Sequence, residues 1–304
     1  MKAAVCKQYG PPDVLNLTQL ETPKPKDSEI LIKNFAAAVN SGDCRIRGFV
    51  CPAWAWIPMR LILGITKPRR PVLGMMFSGI VEETGKNVSR FKKGDFIYGS
   101  AGMRMGAYAE YICLPENSVL ALKPKNISHE EAAAVPFGGM TAMHFLRRGG
   151  IEKGQKVLVY GASGSVGTSA LQLAKYFGAE VTSVCSGPNA EFVKSLGSDK
   201  VIDYTVENFT EKNEKYDLIF DAVGKIKKAD CRTVMKEGGK FVTVGGLEVS
   251  KERSEDLDTL RELIESGKLK PVVDRIYPLE EISSAHAYAD TGRKKGNVVI
   301  RINH

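Results

Sequence analysis

Lys156-Val-Leu-Val-Tyr-Gly-Ala-Ser-Gly-Ser-Val-Gly-Thr168 joins a short apolar run to a glycine-rich turn, and helical spacing follows directly behind it. Val157, Leu158, Val159 and Tyr160 have the pattern of a buried strand, while Val166, Ala170, Leu171, Leu173, Ala174 and Phe177 recur on one helical face. A strand that turns through glycine into a helix presents backbone N–H groups and the positive end of the helix dipole at one point, an arrangement suited to a pyrophosphate. Gly161, Ala162, Ser163, Gly164, Ser165, Val166 and Gly167 are therefore read as a dinucleotide-binding loop. Gly164 lets backbone approach the phosphates, and Gly167 lets helix lie against strand. Ala162 stands at the first glycine of the usual G-x-G-x-x-G, a departure from the fingerprint.

The surroundings support this reading. Gly178-Ala179 stops the helix, and Glu180–Val184 forms a second strand, completing a β-α-β unit. Lys200–Tyr204, Tyr216–Asp221 and Gly239–Val244 repeat the alternation, predicting a doubly wound parallel sheet of an α/β protein. The second strand runs into Cys185-Ser186-Gly187-Pro188-Asn189 without the acidic residue that commonly binds a ribose 2′-hydroxyl. Ser186 thus permits a 2′-phosphate, which favours NADPH over NADH. Tyr204, Lys175 and Lys194 are candidate helpers, although each lysine is more simply read as solvated helix surface.

At 304 residues with 43% hydrophobic content, the chain is long enough for two compact domains. No run reaches the ~18 uninterrupted apolar residues of a membrane helix. Residues 51–66 come closest but are broken by Pro52, Pro58 and Arg60, and the polar start reads as a strand rather than a signal peptide, so no membrane partner and a cytoplasmic location are expected. The net charge of +8 is spread over isolated pairs such as Arg69-Arg70 and Lys294-Lys295, which argues for solvated surface rather than a nucleic-acid site. Six cysteines lack a C-x-x-C pair, and four widely spaced histidines lack metal-ligand spacing, so no zinc is expected.

Residues 1–122 have a different texture. Glu29–Lys33, Gly79–Glu83, Asp95–Tyr98 and Ala107–Cys113 read as strands separated by turns, forming a β-rich domain with long loops. The parallel sheet is assigned to residues 123–266, ending with a helix capped by Ser254 whose Leu257, Leu260, Leu263 and Ile264 share one face before Gly267. Over 267–304, strands at Val272–Ile276 and Asn297–Ile302 flank a helix at Leu279–Ala289. The first texture returns, which predicts that the dinucleotide domain is inserted into the β-rich one.

Nearly the whole chain resembles the medium-chain dehydrogenases/reductases, in the zinc-independent branch similar to quinone oxidoreductases. The resemblance rests on Lys2-Ala-Ala-Val5, Ala38-Val-Asn40, Val72-Leu-Gly74 with Phe77-Ser-Gly79, Phe91-Lys-Lys-Gly-Asp95, Gly106-Ala-Tyr-Ala-Glu110, Glu131–Pro136, Gly139-Met-Thr-Ala142, the Gly161–Gly167 loop, Phe220-Asp-Ala-Val-Gly224 and Val244-Gly-Gly246. It implies a GroES-like domain carrying an inserted Rossmann domain, and a cleft between them where NAD(P)H meets a quinone, enone or related carbonyl.

The same resemblance implies that Asn40 replaces the first metal-ligand cysteine of zinc-dependent relatives, that Met75-Met76 replace their Gly-His-Glu, and that residues 96–113 lack the cysteines of a structural zinc lobe. It places Asn40 and Thr141 near the nicotinamide, and Val223, Gly245 and Gly246 beside the cofactor. Asn40, a candidate catalytic hydrogen-bond donor, is equally readable as a turn former, and Thr141 as a helix hydroxyl bonded to its own backbone. Tyr98 and Tyr108 are candidate general acids but read better as structural residues. The long aromatic loop Phe49–Met59 brings Trp54 and Trp56, which either line an apolar substrate mouth or anchor the loop in the core. Only Leu247–Arg253 separates Val-Gly-Gly from the next helix, shorter than the family's usual segment that completes the sheet and often pairs subunits; a true deletion would put the homodimer the resemblance implies in doubt, so a homodimer stays open as a partner. The resulting expectation is NADPH-dependent reduction of a small apolar acceptor; the alternative is a catalytically weak NADPH-binding protein with a regulatory or structural role.

Overall fold

The structure, a computed structural model, describes residues 1–304. In chain order its main elements are β1 (Lys2–Cys6), β2 (Leu15–Gln19), β3 (Glu29–Val39), α1 (Ser41–Gly48), α2 (Trp56–Leu63), β4 (Met76–Thr84), β5 (Phe96–Ser100), β6 (Tyr111–Pro115), β7 (Val119–Leu122), α3 (His129–Gly149), β8 (Lys156–Tyr160), α4 (Ser165–Tyr176), β9 (Glu180–Cys185), α5 (Ala190–Ser195), β10 (Lys200–Asp203), β11 (Tyr216–Asp221), β12 (Met235–Thr243), α6 (Ser254–Glu265), β13 (Val273–Pro278), α7 (Ile282–Asp290) and β14 (Asn297–Arg301). They divide into two compact units, Met1–Pro136 with Val273–His304, and Phe137–Val272. The fold is α/β, with a parallel sheet in one unit and a mostly antiparallel sheet in the other. No single helix is long and apolar enough to cross a membrane.

The first unit is organised by the sheet β13-β14-β3-β4-β5-β7, with β6 also paired to β3. The eleven-residue β3 bears Ile30, Ile32, Ala37 and Val39 into a core shared with Phe77, Ile97, Leu114, Val298 and Ile300. Residues 107–110, expected as part of a strand, are instead a loop, and the strand begins at Tyr111. The loop's backbone is satisfied elsewhere: buried Asn34 donates through Nδ2 to Ala107 O at 2.6 Å, and Tyr108 N donates to Leu73 O at 3.1 Å.

The second unit is a five-stranded parallel sheet in the order β10-β9-β8-β11-β12. The three central strands β8, β9 and β11 are mostly buried, as expected where both faces are covered, whereas the edge strands β10 and β12 bury one residue each, Ile202 and Val242. The expected helical intervals are shorter after β10 and β11, where only the single turns Phe209–Glu211 and Arg232–Val234 appear. β12 is an outer strand, because Leu247–Arg253 forms no sixth one. Leu257, Leu260, Leu263 and Ile264 of α6 are all buried. Leu260 packs where a Cβ on Gly139 would meet its Cδ1 at 2.7 Å, so a side chain there would have to displace the leucine. Ser254 is not the cap: Arg253 is the N-cap and bonds no helix N–H with its side chain, while buried Asp256, an acid in the first turn, pairs with Arg147.

Helices α1 and α7 bury a neutral histidine. His286 is fully inaccessible, with Nδ1 3.6 Å from Cys44 Sγ and the Tyr108 ring edge-on at 5.5 Å. Burial, aided by the Arg47 charge, pushes its pKa from 6.5 to about 3. A depressed histidine contributes stability that is present above the unfolded value and lost as pH falls through the folded one. Wild type should therefore lose urea resistance between pH 6.5 and 3 more steeply than His286→Asn, and parallel acid titrations of both proteins would expose this histidine's share as the difference.

Candidate functional site

The register of the parallel sheet sets Tyr160 level with Val184 and Asp221, and Asp221 level with Thr243. Four loops therefore leave the same, C-terminal edge: Gly161–Gly164, Ser186–Asn189, Ala222–Gly224 and Val244–Gly246. Ligands of open α/β sheets bind at this edge. Gly161 turns at φ +79°, its N–H and that of Ala162 donating to Val184 O at 2.9 and 3.1 Å. The left-handed conformation falls on Gly161 and not on Ala162, whose methyl is wholly buried. The glycine required for the turn is thus displaced by one residue, which accounts for the unusual motif.

The remaining glycines of the turn differ in role. A Cβ on Gly167 would meet Gly161 O at 2.1 Å and Ala162 Cα at 2.7 Å, a contact only glycine permits. A Cβ on Gly164 would meet nothing nearer than Gly161 O at 3.6 Å. The flank of Gly164 is open, and Gly164 is itself the α4 N-cap, with no side chain to satisfy the first-turn N–H groups. Open backbone at a helix N-terminus fits a dinucleotide pyrophosphate.

Asn189 ties the turn to the end of β9, donating to Ser163 Oγ at 3.2 Å and Ser186 Oγ at 3.1 Å. Asp203, at the end of neighbouring β10, also reaches this corner: a Cβ on Gly187 would lie 2.3 Å from its Oδ2. Thr205 N and Oγ1 donate to the other oxygen, Oδ1, at 2.9 and 2.7 Å, and these bonds lower its pKa. β9 carries no acidic terminus, but the corner does hold a carboxylate. Lys175 is bound to Asp199 and Lys194 to Glu191, so both proposed helpers are engaged on their helix surfaces. Tyr204 is half exposed beside Tyr160.

On the other side of the turn, buried Asp221 accepts from Val223 N, Gly224 N, Ile226 N and Thr243 Oγ1 at 2.9–3.2 Å. One carboxylate thereby shapes the Val223 loop and links it to β12. The Gly224 and Gly245 backbones touch, a Cβ on either meeting the other's Cα within 2.7 Å, while Gly246 is open. Thr141 Oγ1 lies 3.4 Å from Ser250 Oγ, and His144 Nε2 3.1 Å from Glu248, so residues 248–250 lie along α3.

In the first unit, Asn40 is the N-cap of α1 and is buried. Its Oδ1 accepts from Gly42 N at 2.8 Å and Asp43 N at 3.1 Å, while Asp43 Oδ2 accepts from Asn40 N and from Tyr108 Oη at 2.9 Å. With its oxygen committed to the helix, the amide can only donate outward, and buried Nδ2 has no partner. Burial raises the Asp43 pKa to about 7 and holds Tyr108 well above its ordinary value. Tyr98 and Tyr108 are both inaccessible, which suits structural roles better than proton donation. Trp54 is 70% exposed and Trp56 49%, so neither anchors the core. No group of three or more His, Cys, Asp or Glu side chains converges on a point.

Sequence reasoning missed Asp43, Asn189, Asp203 and Asp221. The Asn40-x-x-Asp43 capping box was a readable signal for the first; the contact of Asp203 with Gly187 joins neighbouring strands and has no local signature.

Residues 26–125 match the alcohol dehydrogenase GroES-like domain, and residues 165–269 and 246–300 match two zinc-binding dehydrogenase families. The chain is 37% identical to the tomato (Solanum lycopersicum) 2-methylene-furan-3-one reductase and 36% identical to a chloroplastic NADPH-dependent alkenal/one oxidoreductase of Arabidopsis thaliana, each over 99% of this chain and 79% of the relative. Among solved structures, the quinone oxidoreductase of Coxiella burnetii superposes with a TM-score of 0.89 at 30% identity, over 100% of this chain and 99% of the other.

The two glycines of the turn should separate experimentally. Gly167→Ala should destabilise the protein by about 1–3 kcal/mol through overpacking, whereas Gly164→Ala should leave the melting temperature near wild type and weaken nicotinamide-cofactor binding, measured by titration. Asp43 gives a pH test. Its folded pKa is raised, so its contribution is present below 3.8 and lost as pH rises through about 7; Asp43→Asn should gain melting temperature relative to wild type over that rise.

Proposed function

We propose a specific reaction for this chain, which belongs to the medium-chain dehydrogenase/reductase superfamily in its quinone oxidoreductase-like branch: NADPH-dependent reduction of an enone or quinone. That the chain is an NAD(P)H-dependent oxidoreductase follows from its relatives. The observation that carries the finer reading is the open flank of Gly164 at the α4 N-terminus, beside a β9 end that bears Ser186 instead of an acid. The named enone and alkenal reductases among the relatives support the acceptor class. No observation favours the regulatory or structural alternative.

In this reading, Gly161–Gly167 hold the pyrophosphate with backbone N–H groups, and the Ser186 hydroxyl, whose oxygen Asn189 holds, offers its proton to a 2′-phosphate. Tyr204, Val223, Gly245, Gly246 and Thr141 flank the remainder of the cofactor. NADPH, when bound, supplies a hydride to the electrophilic carbon of the acceptor. Asn40 Nδ2 donates to the acceptor oxygen as negative charge develops there, its direction fixed in advance by the capping box. Both candidate tyrosines are enclosed, so neither is assigned as the proton donor. No metal enters the scheme.

Anaerobic oxidation of NADPH and NADH against a panel of quinones, enones and saturated aldehydes tests the proposal. Quinones or enones should be turned over with NADPH preferred, and Ser186→Asp should weaken NADPH at least about tenfold relative to NADH through charge repulsion. A wild-type preference for NADH would refute the cofactor assignment. Asn40→Ser, which keeps a helix cap but loses the amide, should lower kcat by about 10–100-fold with little change in melting temperature.

A further inference from the structure

α2 is apolar on every side. Met59 packs against the core and Leu63 is buried, as a surface helix requires, yet the opposite face presents Ile57, Leu61 and Ile62 to solvent. Trp54, Trp56 and Ile65 continue this surface, and the six side chains are between 49% and 70% exposed. The sole charged residue of the helix does not relieve it: the Arg60 guanidinium lies over the Phe49, Tyr9 and Trp56 rings at 3.7–4.9 Å and donates to Ile65 O. An apolar exposed surface of this continuity on a globular domain marks an interaction site.

Charge identifies the partner. Residues 44–81 contain no acidic residue; of their six basic ones Arg47 is buried and paired with Asp290 and Arg60 is stacked on aromatic rings, which leaves Arg45, Lys67, Arg69 and Arg70. Lys67, Arg69 and Arg70 follow α2 directly and are exposed. Exposed aliphatic side chains and two tryptophans, bordered by unopposed cations, are the composition of a helix that lies in the interface of an anionic membrane. The eight residues of α2 are far too few to span a bilayer, which needs about 20, and Pro58 and Arg60 interrupt the apolar run. Surface insertion needs neither the length nor the continuity. We infer that α2 and its flanks form a docking surface for an anionic lipid bilayer, entering the headgroup boundary with Trp54, Ile57, Leu61 and Ile62 while Lys67, Arg69 and Arg70 meet lipid headgroups. This inference does not depend on the reductase reading.

Trp54 and Trp56 are the only tryptophans, so intrinsic fluorescence reports this surface alone. Wild-type protein without cofactor is titrated with vesicles of phosphatidylcholine, with or without phosphatidylserine, at low and high salt. Expected are a blue-shifted emission, quenching by lipids brominated in their acyl chains, co-sedimentation at least about tenfold stronger with phosphatidylserine, and weakening by salt. Ile57→Glu with Leu61→Glu should abolish binding, and Arg69→Glu with Arg70→Glu should reduce it at least about tenfold, with melting temperatures confirming that both variants fold. Three outcomes overturn the inference: no vesicle binding by wild type, vesicle binding with unchanged tryptophan emission, or self-association that Ile57→Glu with Leu61→Glu removes in the absence of vesicle binding.

Discussion

The second unit depends on one contact between backbones. α4 lies close enough to the end of β8 that a single methyl on Gly167 would overlap Gly161 O and Ala162 Cα. This approach sets the helix axis against the sheet and brings its N-terminus to the edge where β8, β9, β11 and β12 end. The four flanking loops then need only short reaches to surround the same point. Asp221 and Asn189 show how those loops are held: one buried carboxylate gathers three backbone N–H groups and a threonine, and one amide bridges two serines.

Much of this was legible because it is local. A strand, a glycine turn and a helix occupy consecutive residues, and each glycine's role follows from its position in the turn. The β-rich unit was legible from dispersed short stretches more than from strand patterns, and Ala107–Glu110 misled because alternating small and aromatic residues also suit a loop stitched by Asn34. Ser254 misled for another reason: serine before an amphipathic run is a good cap in isolation, but the chain enters the helix one residue earlier, with Asp256 and Arg147 fastening the first turn. Proximity across strands had no local trace. Asp203 and Gly187 belong to loops after different strands, and only parallel pairing brings them together.

That proximity bears on cofactor selection. A carboxylate at the end of β9 itself would face the ribose hydroxyls directly, whereas Asp203 is turned onto Thr205 and against Gly187, and its hydrogen bonds keep it ionised. No lysine offsets its charge nearby, since Lys175 and Lys194 are held by their own carboxylates. In the proposed reading, discrimination between NADPH and NADH rests on one neutral donor, the Ser186 hydroxyl, because the Asn189 amide already gives both its hydrogens to Ser163 and Ser186, and on the absence of an acid at the end of β9. Neutral hydrogen bonds contribute less than charge-assisted ones, so the preference should be moderate and open to reversal by a single introduced acid.

Asn40 shows how a structural requirement can create a chemical one. An N-cap asparagine must turn its oxygen toward the first-turn N–H groups, and here two of them claim it. The amide nitrogen is left facing away from the helix, buried and unpaired. Serine or aspartate would cap α1 as well, but neither would present a neutral donor there; a hydroxyl engaged as a cap acceptor is shorter, and a carboxylate would repel developing negative charge. The Asp43–Tyr108 pair supports this orientation from behind, since Asp43 accepts from the Asn40 backbone and is itself fixed by the tyrosine hydroxyl. Burial raises the pKa of Asp43, which lowers the negative charge beside the donor relative to an exposed carboxylate. The polar groups that secure the start of α1 also leave Asn40 Nδ2 a buried donor without a partner, which is what the proposed role requires of it.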